Sequence, residues 1–306
     1  MSSQTFELLI LGSSSASPTS ERNPCAQLLN IAERFFLIDC GEGTQIQLRK
    51  SKLSWARIDH IFISHLHGDH YLGLLGLLQS MHLLGRKKVM HLFCVPELKE
   101  IIDIQNKYSG TELNYEIEYH FLNTNGKQLI LEDNKVKVYS FPLNHRISCC
   151  GFLFEEKVGL RKIKKYEFER RNISLAEIHK VKQGINAIDN DGNEIDYKLL
   201  SDSAAATKSY AYCSDTKYDE RTVQHIKGAT TIYHESTFLK DMIDRAKATF
   251  HSTAEEAAKI ALAAESKQLI LGHFSARYGD LEPFLLEAGA VFNNCLLAKD
   301  GEIITI

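Results

Sequence analysis

The chain has 306 residues, is 44% apolar and 25% charged, and carries a formal net charge of -3, so it has material for a core but no global basic field to hold nucleic acid. Its seven cysteines form no C-x-x-C pair, which argues against a cysteine zinc site and suits reduced thiols in a cytoplasmic protein. No apolar run reaches the roughly 18 residues of a membrane span, and the opening MSSQTFELLILG reads as lacking an export signal.

Short β-type runs fall at 6–11, 35–38, 61–63, 92–95, 136–139, 151–154, 210–213, 231–233 and 268–271. Helical patterns lie among them at 44–51, 71–84, 96–108, 253–264 and 281–288. The early part is strand-rich and the later part alternates strand with helix, which predicts a layered α/β domain with mixed sheets spanning 1–306. One interval departs from the rest. Residues 157–182 carry nine Lys/Arg against three Glu, a local +6, and a strong turn signal follows at Asp189-Asn190-Asp191-Gly192. It reads either as a solvated face or as a protruding arm that touches a polyanion.

Between the run at 61–63 and the next helical pattern stands H-x-H-x-D-H: His65, His67, Asp69 and His70. Imidazole and carboxylate suit zinc and other borderline divalent ions. The motif is expected on a tight turn at a strand's C-terminal end, with Gly68 supplying backbone freedom. Two groups of ligands on one turn suit two adjacent metals better than one. More donors are then needed, and His145, Asp215 and His273 each follow a strand-like run. An aspartate can bridge two cations through its two oxygens. His60, His82, His91, His120, His179, His225 and His234 have no supporting spacing and read as surface or packing residues.

H-x-H-x-D-H followed by distal His, Asp and His resembles the metallo-β-lactamase superfamily, and further stretches sharpen the resemblance to the ribonuclease Z family. They are SPTSERN, DCGEGTQ at 39–45, SHLHGDHYLGLLGLL at 64–78, HESTF at 234–238, HST at 251–253 and GHFSARY at 272–278. The resemblance implies a four-layer αββα sandwich with an inserted basic arm at 157–200. It implies two zinc ions per subunit, one held by His65, His67 and His145, the other by Asp69, His70 and His273, with Asp215 bridging. It further implies a cytoplasmic homodimer that acts on precursor tRNA, without any membrane association. The activity would be a zinc-dependent endonuclease removing the 3′ trailer, with a 3′ hydroxyl left on the tRNA and a 5′ phosphate on the trailer. The alternative is a metal-dependent phosphodiesterase or 3′ exoribonuclease acting on other RNAs or small phosphodiesters.

Asp69 is expected to orient the attacking water and take its proton. The departing ribose 3′ oxygen needs a proton from the far side. His251, just before the N-cap chemistry of Ser252-Thr253 and the acidic Glu255-Glu256, is the candidate acid. Glu235 would hold its imidazole. Arg22, Asn23, Ser275 and Arg277 read equally as RNA contacts or as loop-stabilising groups. Two departures from the family pattern stand out. The arm stretch ERRNISLAEIHKVKQG has no Gly-Pro tip, and Leu75 stands where many members have proline.

Overall fold

A computed structural model describes residues 5–204 and 206–306; the first four residues, which open the stretch read for an export signal, lie outside the described residues. The chain divides into two compact units, Ser2–Glu155 with Lys208–Ile306, and Glu156–Thr207.

The larger unit is built on two seven-stranded sheets. The first takes β1 (Phe6–Gly12), β2 (Ala26–Ile31), β3 (Arg34–Ile38), β4 (Ile58–Phe62), β5 (Met90–Cys94), β6 (Ile117–Phe121) and the C-terminal β14 (Ile303–Thr305), in the order β14-β1-β2-β3-β4-β5-β6. The second takes β7 (Gln128–Glu132), β8 (Val136–Pro142), β9 (Cys150–Glu156), β10 (Ser209–Cys213), β11 (Thr231–Glu235), β12 (Gln268–Gly272) and β13 (Cys295–Leu297), in the order β13-β12-β11-β10-β9-β8-β7. Each sheet is mixed: β3 to β6 run parallel in the first, and β10 to β13 in the second.

Three cores separate four layers. Phe36, Phe62, Phe93, Phe152, Phe154, Tyr210 and Tyr212 fill the space between the sheets. Outside the first sheet lie α1 (Thr44–Lys50), α2 (Gly68–Leu83) and α3 (Glu97–Ser109). In α2, Leu74, Leu77, Leu78 and Met81 are buried, the i, i+3, i+4, i+7 stripe of a helix laid on a sheet. Outside the second sheet lie α4 (Ala254–Ala263) and α5 (Glu282–Gly289). Thr253 and Glu256 form a capping box that fixes where α4 begins. Ala254, Ala257, Ala258 and Ala261 are its buried face, small enough to bring the helix close to the strands. This is the αββα sandwich that the family resemblance implied. All seven cysteines are free, and six of them are buried.

The smaller unit has a core of its own in Phe168, Ile173, Val181, Ala187 and Leu200, wrapped by short helices at Lys165–Arg170, Ile178–Lys182 and Tyr197–Leu200. Over the whole unit ten Lys/Arg meet nine Asp/Glu, a net +1, so the positive charge read at 157–182 is balanced by acidic residues on either side of it. Several of those cations are also paired: Lys164 with Asp202, Arg170 and Arg171 with Glu167, Lys180 with Glu177.

Candidate metal centre

The functional side chains stand on the C-terminal ends of strands from both sheets. His65 and His67 follow β4, His145 follows β8, Asp215 follows β10 and His273 follows β12. Glu235 ends β11, and His251 precedes the cap of α4. The short motif does not lie wholly on a turn. The helix begins at Gly68, three residues before the sequence expectation, and places Asp69 and His70 in its first turn. There the helix's positive end favours the Asp69 carboxylate. Gly68 does not use the left-handed region either; a side chain there would press on Leu72. The glycines that matter are Gly73 and Gly41. A Cβ on Gly73 would lie 2.0 Å from the Gly41 carbonyl oxygen, so the helix can seat against the 39–43 loop only without one. Two backbone hydrogen bonds, Cys40 N to His70 O and Gly73 N to Cys40 O, lock that contact.

Two donor clusters result. In the first, His65 Nε2 and His145 Nε2 each lie 3.1 Å from His67 Nδ1, and 3.6 and 3.7 Å from Asp215 Oδ2. In the second, His70 Nε2 and His273 Nε2 lie 3.3 Å apart; each is within 3.5 Å of Asp69 Oδ2, and both are 3.1 to 3.2 Å from Asp215 Oδ1. Tetrahedral zinc with bonds of about 2.0–2.1 Å separates its ligand atoms by about 3.3–3.4 Å. Both clusters match that edge length. Asp215 gives one oxygen to each, and its Oδ1 is buried without a hydrogen bond.

The second nitrogen of each ring fixes which one is bare. His145 Nδ1 donates to the Phe250 carbonyl at 2.9 Å, and His70 Nδ1 to Asp39 Oδ2 at 2.7 Å. Thr237 donates its hydroxyl to Glu235 Oε2 and so accepts from His273 Nδ1 at 2.9 Å. Ser64 likewise donates to Asp39 and accepts from His65 Nδ1 at 3.0 Å. Four Nε2 lone pairs therefore converge in a buried space, an arrangement that repels itself unless a cation sits among them. Burial holds His65 well below the ordinary imidazole value, in the neutral form a ligand needs. The residues fit a pair of divalent cations.

Beside the clusters, Glu235 is buried but fully served. Its oxygens accept from Thr216 N, Ser252 N, Thr237 N and the Thr237 hydroxyl. His251 Nδ1 donates to it at 2.9 Å. Burial would push the His251 ring down, but Glu235 outweighs it and lifts the ring to about 9. His251, Asp69, Asp215 and His273 open onto one cavity of about 310 Å³, with Arg146 at its wall.

Sequence reasoning gave no role to Asp39, Thr237, Tyr212 or Arg146. Asp39 also accepts from Ser64 N and from the Tyr212 hydroxyl, and it holds a left-handed φ of 54° to do so. Its signal lay in the quoted DCGEGTQ stretch. Arg22 and Asn23 are committed to the protein instead. Arg22 is buried and donates to the Tyr278 carbonyl at 2.8 Å, and Asn23 binds Asp300 through backbone and side chain. Arg277 bonds Ser275 Oγ at 3.1 Å and lies over the Phe238 ring.

Comparison with known proteins bears on the family and the fold. A family model described as anti-Pycsar protein Apyc1 matches residues 6–162, ending before Asp215, Glu235, His251 and His273. Ribonuclease Z of Cytophaga hutchinsonii is 50% identical over 297 residues, 97% of this chain and 95% of that protein. Ribonuclease Z of Bacteroides thetaiotaomicron is 44% identical over 303 residues, 99% of this chain and 96% of that protein. Among solved structures, human tRNase Z, short form, superposes with a TM-score of 0.72 at 27% identity, covering 98% of this chain and 99% of that one. The metallo-β-lactamase fold protein YhfI from Bacillus subtilis gives 0.69 at 16% identity, with 99% of each chain covered, a likeness of fold alone. The two sheets, their flanking helices and the donor clusters at the strand ends define a metal-dependent protein of the metallo-β-lactamase fold. Within that class, the chain belongs to the ribonuclease Z family.

Proposed function

We propose that this protein is a dinuclear zinc endoribonuclease that removes the 3′ trailer from precursor tRNA, leaving a 3′ hydroxyl on the tRNA and a 5′ phosphate on the trailer. The observation that carries the reading is the pair of donor clusters joined by Asp215, beside an independently built Glu235–His251 pair, in a chain that matches ribonuclease Z along nearly its whole length. His65, His67 and His145 would hold one cation, and Asp69, His70 and His273 the other. Cations bound there would supply Lewis acidity, lowering the pKa of water towards neutral and offsetting charge on the phosphoryl oxygens.

The side chains do the rest. Asp69 Oδ2 is anchored by the Ala16 amide at 2.7 Å and lies 3.2 Å from His273 Nε2, which leaves Oδ1 to orient the attacking water and accept its proton. His251 keeps Nδ1 on Glu235, so Nε2 is the atom that protonates the departing ribose 3′ oxygen. Glu235 stabilises the imidazolium and fixes its orientation without itself taking the proton. Arg146 supplies a cation at the cavity wall for a flanking phosphate.

We assign the unit at 157–200 to grip folded RNA through backbone contacts, in a cytoplasmic homodimer, on the resemblance and on its insertion between the ligands His145 and Asp215. Giving the metal-loaded protein a 3′-extended precursor tRNA and, separately, a chromogenic phosphodiester tests the assignment. A single cut releasing an intact trailer supports it. A ladder of shortened trailers would mean an exonuclease, and hydrolysis of the small diester alone would mean a different substrate.

A further inference from the structure

We propose that His91, Glu118 and His120 form a separate site for a divalent transition-metal cation, on the edge of the first sheet and apart from the centre described above. The three residues stand on adjacent parallel strands, where His91 of β5 pairs with Glu118 of β6, and Phe93 with His120. Period-two alternation then puts all three on the face that carries Phe93, the inner face of the sheet. Their ligand atoms converge. His91 Nδ1 lies 3.2 Å from His120 Nε2 and 3.3 Å from Glu118 Oε2, while His120 Nε2 lies 3.6 Å from Glu118 Oε1. Those spacings fall within the range found in the catalytic clusters and match the edge of a zinc tetrahedron, about 3.3–3.4 Å.

The rings are held before any cation arrives. His120 stacks on Phe93 with centroids 4.3 Å apart and planes 13° from parallel. His91 stacks on His60 at 5.0 Å and 16°. Stacking fixes both ring planes, so little side-chain freedom remains to be lost on binding. Two imidazoles and one carboxylate are a donor set for zinc, nickel, copper or iron, and a poor one for magnesium or calcium. His91 and His120 are partly exposed and Glu118 is exposed, so the remaining positions would be filled by water, with an open path for entry. A cation there ties the edge strand β6 to β5, a strand pair whose outer edge has no further neighbour among the described residues. Binding to the folded state alone raises its stability.

Equilibrium dialysis of the full-length protein at buffered free-zinc concentrations tests the site. Zinc is counted per chain in the wild type, His91→Gln and His120→Gln. The expected result is one zinc fewer in each variant, with wild-type hydrolysis of a chromogenic diester, which separates this loss from damage to the catalytic centre. Glu118→Gln, at an exposed position, keeps the fold whatever the histidine variants do. It should bind the additional zinc about tenfold more weakly or worse. Equal zinc counts in wild type and histidine variants, or unchanged affinity in Glu118→Gln, would overturn the proposal and leave a plain imidazole–imidazole hydrogen bond.

Discussion

The metal centre and the unit at Glu156–Thr207 use charge in opposite ways. At the centre, most charged and titratable groups are buried, and several have their place set by a specific neighbour: Asp39 behind His70, Thr237 behind His273, Phe250 O behind His145. In the smaller unit the charges are exposed or half-exposed, and those with partners meet them mostly within a turn or two, as Glu167 does with Arg170 and Arg171. Exposed pairs contribute little to stability and exchange readily for other partners, such as phosphates. Buried donors cannot exchange without a large loss. On the proposed reading, chemistry would belong to the first region and adaptable recognition to the second.

Four experiments can break that division. Asp69→Ala should cut turnover of precursor tRNA by about 10²–10⁴-fold while leaving most RNA affinity, because phosphate contacts lie elsewhere. Single-turnover cleavage beside a binding assay checks it, and a near-normal rate would remove Asp69 from the mechanism. Deleting 157–200 should lower precursor tRNA processing on the order of a hundredfold and spare the small diester. Equal losses on both substrates would make the unit structural. Asp39→Asn replaces the carboxylate that orients His70 and should weaken metal affinity by about 10–100-fold. Activity recovered by added zinc is the readout. The smallest expected effect on chemistry is that of Phe168→Ala, which removes the largest buried side chain of the five-residue core. It should cost that unit about 3–5 kcal/mol, seen as faster proteolysis within 156–207, with diester hydrolysis unchanged.

Much of the larger unit was legible because its signals are local. The strand and helix runs follow period and punctuation, and the apolar stripe of α2 is visible at Leu74, Leu77, Leu78 and Met81. The edge strands β6, β7, β13 and β14 were not assigned, since half-exposed segments such as Ile117–Phe121 carry no clean alternation; the buried strand β2, Ala26–Ile31, was missed as well, because its Gln27 and Asn30 break the apolar run. At the centre, residue types that rarely cluster by accident announced themselves. The groups that aim them did not, because Thr237 and Tyr212 are ordinary residues whose roles depend on contacts distant in sequence. For Arg22 the sequence left RNA contact and loop stabilisation equal for the converse reason: nothing local shows that the Tyr278 carbonyl already holds it. The charge of the smaller unit was misjudged by stopping the count at 182, before Asp189, Asp191, Glu194, Asp196 and Asp202.

The central claim is that seven side chains hold two cations bridged by one aspartate. An anomalous difference map from zinc-loaded crystals, collected at the zinc edge, tests it most directly. The account predicts two peaks about 3.5–4 Å apart, one on either side of the Asp215 carboxylate, with His145 on one and His273 on the other. A single peak, or two peaks that do not share Asp215, would contradict it.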